Sequence, residues 1–202
     1  MELSNERNKR GSTVKSVLYH QYEPNSNQVD SCNDIECFLS SIKYEVGSNI
    51  LLVGEVGTFG KRLRLLGVNV TILENTLYQD ICYSLVHNEN CSVIKGSLEF
   101  LPFEDNYFDK IIILDHFNHI TDCKKASLEI SRVLRPKGEL VLEDLNLKNI
   151  KVKLKYFKHK ICGEHVNYHY PQEIFNIFLK LDFDGALKEV ENERYIYIGK
   201  QK

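Results

Sequence analysis

Four consecutive apolar residues, Ile50-Leu51-Leu52-Val53, run straight into Gly54, Gly57 and Gly60. A run this short, apolar at every position, fits a strand buried on both faces, and glycines at once after it mark a tight turn rather than continued strand. The pattern recurs. Short apolar or β-branched runs stand at 68–73 (VNVTIL), 91–94 (CSVI), 110–114 (KIIIL) and 139–142 (ELVL). Between them lie helix-length stretches at 61–66, 77–87 and 123–134. Apolar strands alternating with helices require a parallel sheet covered on both faces, so the class is α/β and the natural topology doubly wound. The end differs. Residues 171–181 (PQEIFNIFLKL) place Ile174, Phe175, Phe178 and Leu179 on one helical face, with Pro171 in the first turn. Two late strand-like runs, 183–190 and 194–199, flank the turn Glu191-Asn192-Glu193, which predicts an antiparallel C-terminal edge.

At 202 residues the chain has room for one domain. We read 1–45 as an N-terminal cap segment, with a helix at 35–44, and 46–145 as a nucleoside-binding core. A lid or substrate insertion is expected over 146–172, then a helix and hairpin over 173–202. Hydrophobic residues at 43% and charged residues at 27% argue against general disorder, and a formal charge of −2 gives no whole-chain grip on nucleic acid. No apolar run reaches the roughly 18–20 residues of a membrane span, and 1–10 (MELSNERNKR) lacks the apolar stretch of an export signal. The expectation is therefore a cytoplasmic protein that binds no DNA. The six cysteines, Cys32, Cys37, Cys82, Cys91, Cys123 and Cys162, form no C-x-x-C pair. We read them as small buried hydrophobes in a reducing compartment and expect no metal site.

Two features carry chemistry. The turn Gly54-Glu55-Val56-Gly57-Thr58-Phe59-Gly60 lets the backbone approach a ligand closely, and the following helix offers N–H groups to an anionic group. Glu74 ends the second strand, 20 positions after Gly54, where an acid can accept hydrogen bonds from both ribose hydroxyls of a nucleoside. The plainer readings are an unliganded tight turn and a solvated strand-end acid.

Further stretches follow in order: Gly96-Ser97-Leu98-Glu99 with Leu101-Pro102-Phe103 and Asn106-Tyr107-Phe108-Asp109; 120–122; Arg132-Val133-Leu134-Arg135-Pro136-Lys137-Gly138-Glu139-Leu140; and Glu164-His165-Val166-Asn167-Tyr168 with Pro171. From about Ile50 to Leu181 the chain resembles the class I S-adenosylmethionine-dependent methyltransferases of the type 11 kind. The resemblance implies a Rossmann-like fold, S-adenosyl-L-methionine as cofactor and a small-molecule substrate. It also implies roles. Gly54, Glu55, Gly57 and Gly60 would pack against the methionine part of the cofactor. Glu74 would hold the ribose with Asn75 beside it, Ser97 and Leu98 would lie at the adenine edge, and Asp115 and His116 would flank the transferred methyl. Three positions depart from the family pattern: Leu52 stands where an acid is usual, Val56 occupies the place of the second glycine, and Ser97 replaces an aspartate.

Methyl transfer from a sulfonium asks mainly for positioning, with a base where the acceptor carries a proton. The histidines His116, His119 and His165 are the candidates of the favoured residue type, and Asp115, Glu143 and Asp144 are acids in reach of the same strand ends. For the acids, the plainer readings are helix caps, loop acids or solvated strand-end charges. From Lys148 to Lys160 six lysines interleave with Leu147, Ile150, Leu154 and Phe157 at helical spacing. That predicts an amphipathic helix with those apolar residues inward and lysines outward, its alternatives being a lid over an anionic substrate or a contact with RNA or a membrane surface. Two competing functions remain: a methyltransferase fold that binds or regulates without catalysis, and a nicotinamide-dependent oxidoreductase, which the glycine turn and Glu74 permit.

Overall fold

The computed structural model divides the chain into two compact units, 1–44 and 45–202. It describes residues 39–40, 42–54, 56–74, 85, 87–88, 90–163, 166–190 and 193–202. The N-terminal 38 residues, most of the expected helix at 77–87, and Glu55, Asn75 and His165 lie outside the described residues. All elements below belong to the second unit.

Seven strands form one sheet: β1 (Asn49–Gly54), β2 (Asn69–Glu74), β3 (Ser92–Lys95), β4 (Phe108–Leu114), β5 (Leu134–Leu145), β6 (Phe183–Val190) and β7 (Arg194–Gln201). Among the described residues, the helices with both ends placed are α1 (Phe59–Leu65), α2 (Cys123–Val133), α3 (Ile150–Ile161) and α4 (Pro171–Leu179), with a 3₁₀ turn at Phe117–His119. The strand order is β3-β2-β1-β4-β5-β7-β6. Strands β1 to β5 pair in parallel, and β7 pairs antiparallel with both β5 and β6. The predicted antiparallel finish is thus a hairpin whose second strand joins the sheet and whose first becomes the edge.

The core follows from the apolar runs. Ile50, Leu51, Leu52 and Val53 are buried, as are Ile111, Ile112 and Ile113 on β4 and Leu140, Val141 and Leu142 on β5. Complete burial of adjacent residues is what a sheet covered on both faces demands. Arg132 on α2 organises the loop before β4. Its guanidinium donates to the Leu101 and Phe103 carbonyls, to Asp105 and to Glu129, and Glu129 in turn accepts from the Leu101 amide. Much of the L-P-F and R-V-L sequence signature is therefore one fork of hydrogen bonds tying a loop to a helix.

Three expectations need correction. Strand β5 begins at Leu134, ahead of Pro136, rather than at Glu139. Phe108 pairs with Leu134 and Lys110 with Glu139, so the residues between bulge out of the ladder. Pro136 has no N–H to give, and Lys137 adopts a φ of 65°, which together force the bulge. The second correction concerns α3. Val152 is buried beside Leu145, Leu147, Val166 and Tyr168, with Tyr156 packed against them, while Ile150, Leu154 and Phe157 face outward. The inward face is the one carrying Val152, Tyr156 and His159, the last edge-on to the Tyr168 ring. Third, Cys162 is exposed, not buried, because it caps the exposed end of α3.

Candidate functional site

Parallel strands β1 to β5 present their carboxyl ends to one edge, and the chain reverses its winding across β1: from β1 it crosses to β2, from β3 back to β4. Crevices for ligands open at such a switch point. Gly54, Glu74, Gly96, Asp115 and Asn146 each end or immediately follow one of these strands.

The glycine turn is built for closeness. Gly54 has a φ of 93°, and a Cβ there would drive into the Leu114 carbonyl oxygen and lie 2.8 Å from the His116 Cβ. Only glycine fits, and β4 with its following loop is pressed against it. Gly57 also has positive φ, 49°, but a Cβ there would meet nothing within 4 Å. Behind the turn, the buried Asn88 donates from Nδ2 to the Gly57 carbonyl (2.8 Å) and accepts from the Lys61 amide (3.0 Å). The Phe59 amide is spent on the Val56 carbonyl. Two of the amides expected at the α1 start for an anionic group are therefore used within the protein, a correction that follows from Asn88 reaching over the helix end and from the Val56–Phe59 turn.

Val53 pairs with Leu73, so Gly54 and Glu74 are the next residues along two neighbouring strands. Adjacent strands lie about 4.8 Å apart, which sets the acid one strand-width from the turn. The Glu74 carbonyl accepts from the Gly96 amide, drawing the β3 exit alongside. Ser97 follows, its Oγ accepting from the Glu99 amide at 3.2 Å and so closing its own turn. Leu98 is buried in the main core, which leaves only its main-chain groups for any ligand.

The loop after β4 holds the densest electrostatics. Asp115 sits at φ 46° with its amide on the Glu143 carbonyl, 3.0 Å away. Arg194, from the start of β7, donates to Asp115 Oδ2 at 3.1 Å and to Glu143 Oε1. Next to Glu143, Asp144 accepts from the Asn118 amide (2.8 Å), from Asn118 Nδ2 (2.7 Å) and from the Leu145 amide (2.7 Å). Asn118 Nδ2 also reaches Asp115 Oδ1 at 3.1 Å. Burial pushes the Asp144 carboxyl up to about 7 against the lowering effect of those hydrogen bonds. It raises Glu143 as well, the Arg194 guanidinium opposing. Both acids are buried, not the solvated or capping residues expected, because β5 runs on to Leu145 and carries them into the sheet.

His116 is mostly buried, and desolvation, with His119 nearby, lowers its imidazole to about 4. His119 is exposed, its ring 6.1 Å from that of His116. On the far side of the loop Asn167 grips it, its amide donating to the Asn118 carbonyl (2.6 Å) and its Nδ2 to that of Ile120 (2.9 Å). Cys123 Sγ lies 3.1 Å from His169 Nε2, with Glu173 Oε2 3.7 Å from Nδ1. Burial raises the Cys123 thiol to about 11, so it is a hydrogen-bonding thiol and not a nucleophile. Sequence reasoning missed Arg194, Asn118, Asn167 and Asn88. Arg194 left a trace as a cation opening an otherwise apolar run, and Asn167 stood inside the 164–168 stretch.

A doubly wound sheet with an antiparallel hairpin, a glycine turn and an acid ending the adjacent strand defines the Rossmann-like methyltransferase fold. The comparisons agree. The sequence profile of the methyltransferase domain matches residues 55–142. The chain is 31% identical over 151 residues to a ubiquinone/menaquinone biosynthesis C-methyltransferase of Rickettsia felis, the match covering 67% of this chain and 58% of that protein. It is 34% identical over 77 residues to a glycine/sarcosine/dimethylglycine N-methyltransferase of Actinopolyspora halophila, covering 38% of this chain and 14% of that one. In neither does the match span two thirds of the relative's length. Among solved structures, a SAM-dependent methyltransferase from Aquifex aeolicus superposes with a TM-score of 0.64 at 17% identity, over 95% of this chain and 98% of that one. The PH0226 protein from Pyrococcus horikoshii OT3 gives 0.67 at 20% identity, over 96% and 99%. The fold is therefore that of the Rossmann-like methyltransferases, and residues 55–142 match the methyltransferase domain.

Proposed function

We propose that this chain transfers a methyl group from S-adenosylmethionine directly, in line, to a small-molecule acceptor. The observation that carries the reading is Gly54 and Glu74 ending neighbouring strands side by side at the switch point. The residues present fit the cofactor there. Gly57 lacks a side chain where the space beside it is open, and Glu74 is the right chemistry for a ribose diol. Leu98 offers only backbone, and Ser97 already serves its own turn. Bound in this crevice, the cofactor would supply a methyl on a sulfonium, an electrophile that needs no further activation.

The chain's own part is then placement. Glu74 accepts from the sugar hydroxyls. The Asp115–Arg194–Glu143 clamp fixes the loop that carries His116 next to Gly54. His116 is neutral at pH 7 and too weak a base to deprotonate an alcohol or an ordinary ammonium. An acceptor that needs a base must therefore find one other than His116. His119 and His165 stay candidates by residue type, and Asn75 and Glu55 by resemblance.

Calorimetry with S-adenosylhomocysteine tests the reading. Glu74→Ala should weaken binding about tenfold or more, as expected for lost hydrogen bonds to a charged group, with the native circular dichroism spectrum retained. Absence of binding to the native chain at about 1 mM ligand would remove the cofactor reading. Leu52, Val56 and the engaged Ser97 hydroxyl favour a second reading, a fold that binds without transferring. If Val56→Gly gains no affinity over the native chain, the departure at that position supports no loss of function.

A further inference from the structure

Helix α3 turns its most apolar stripe to solvent. Ile150, Leu154, Phe157 and Ile161 are 68%, 64%, 61% and 85% exposed. Their spacing of four, three and four residues puts them on one face, a stripe about 16 Å long. The opposite face is already committed, Val152 and Tyr156 packing against the cluster of Leu145, Leu147, Val166 and Tyr168. Lysines border the stripe on both sides: Lys151, Lys155 and Lys158 along one flank, Lys153 and Lys160 along the other. No aspartate or glutamate occurs between Asn146 and Gly163, a stretch with six lysines in a chain of net charge −2. Some of these cations have local contacts. Lys151 pairs with Glu193, Lys148 with Glu189, and Lys153 and Lys160 lie over the Tyr170 and Tyr156 rings. Those contacts lie beside or behind the stripe and leave its apolar residues outward.

We infer that α3 docks on an anionic lipid bilayer, its stripe entering the headgroup boundary and its flanking lysines meeting the lipid phosphates and carboxylates. Both components of that surface are matched. An apolar ridge on a convex helix finds acyl chains, and lysines on either side extend outward on long stems to the charged level. Charge excludes a second copy of the same face, which would set six lysines against six. Nucleic acid would use the lysines but leave two isoleucines and a leucine facing phosphate. An acidic protein groove is the remaining rival. The inference goes beyond methyl transfer and stands whether or not the chain binds S-adenosylmethionine.

The test is sedimentation of the full chain with vesicles. One set is phosphatidylcholine alone and the other contains about 30% phosphatidylserine. The chain should pellet with the anionic set at about 0.1 M salt, be released at about 1 M salt, and stay in the supernatant with phosphatidylcholine. Leu154→Ser/Phe157→Ser should lower the partition coefficient about tenfold or more, and Lys155→Glu/Lys158→Glu by a similar factor. All four positions are solvent-facing, so both variants should give native circular dichroism melts. The proposal is overturned if the native chain ignores anionic vesicles at low salt. It is also overturned if only the lysine variant loses binding, which would make the helix a polyanion contact, or if a soluble acidic protein but no vesicle binds the stripe.

Discussion

Replacing Arg194 by methionine would remove one cation from between two acids. Glu143 is 1% exposed and would be left without its partner, and Asp115 would keep only the Asn118 amide. Stranding a buried carboxylate costs about 3–5 kcal/mol, most of it the desolvation of Glu143, and methionine roughly keeps the volume. For a chain this size that is a fall of roughly 10 °C in melting temperature. The cost also acquires a pH dependence. Glu143 already titrates above its ordinary value, and loss of Arg194 would raise it further. A raised carboxyl means the folded state holds the proton more tightly, so stability is retained near pH 5 and lost as pH rises through the folded value. Arg194→Met should therefore melt much closer to the native chain at pH 5 than at pH 8. Adding Glu143→Gln removes the stranded charge and should restore half or more of the loss at pH 8. Thermal melts followed by circular dichroism at the two pH values read all of this. A single variant within about 1 kcal/mol of native at pH 8, or no recovery in the double variant, would refute the clamp as argued.

Asp144, raised to about 7, should make the native chain less stable as pH climbs from about 4 to about 7, and Asp144→Asn should flatten that slope while losing about 1–3 kcal/mol near pH 5 through a mispaired Asn118 amide; a carboxyl titration near 3.8 would contradict this. Gly54→Ala should destabilise by about 3 kcal/mol or more, or prevent folding, since positive φ and collision with Leu114 combine; Gly57→Ala should cost only about 1 kcal/mol, and equal costs in denaturant titrations would be the wrong result. His116 should stay neutral in NMR titration down to about pH 4, and an inflection near 6.5 would show an imidazole open to water.

The sheet was legible because its strands are apolar at every position. Ile50 to Val53 and the three isoleucines of β4 leave no room for another period. The place of Glu74 at the end of β2 was legible because its spacing from the glycine turn is set by one β-α-β crossover. The orientation of α3 was not. Periodicity says that Ile150, Leu154 and Phe157 share a face but cannot say that the face carrying Val152, Tyr156 and His159 is turned inward. The burial of Glu143 was hidden because its partner lies 51 residues downstream, at the start of a strand that inserts beside β5. Ser97 shows the same limit at short range, since a hydroxyl that closes its own turn has the same letter as one that faces a ligand.

Strand β7 lies between β5 and β6, although β6 precedes it along the chain. Until residue 194 has been synthesised, β6 has no partner of its own, and the exposed flank of β5 is an edge it could seize, in the wrong place. Zipping the two late strands into a hairpin first, then adding them to β5 as a pair, avoids that trap. The same order means that Asp115, 79 positions upstream of Arg194, waits for the last strand to be locked. The floor of the crevice is thus finished by a remote and late-arriving residue, so a nascent chain stalled before β7 would display a formed sheet with an unfastened mouth.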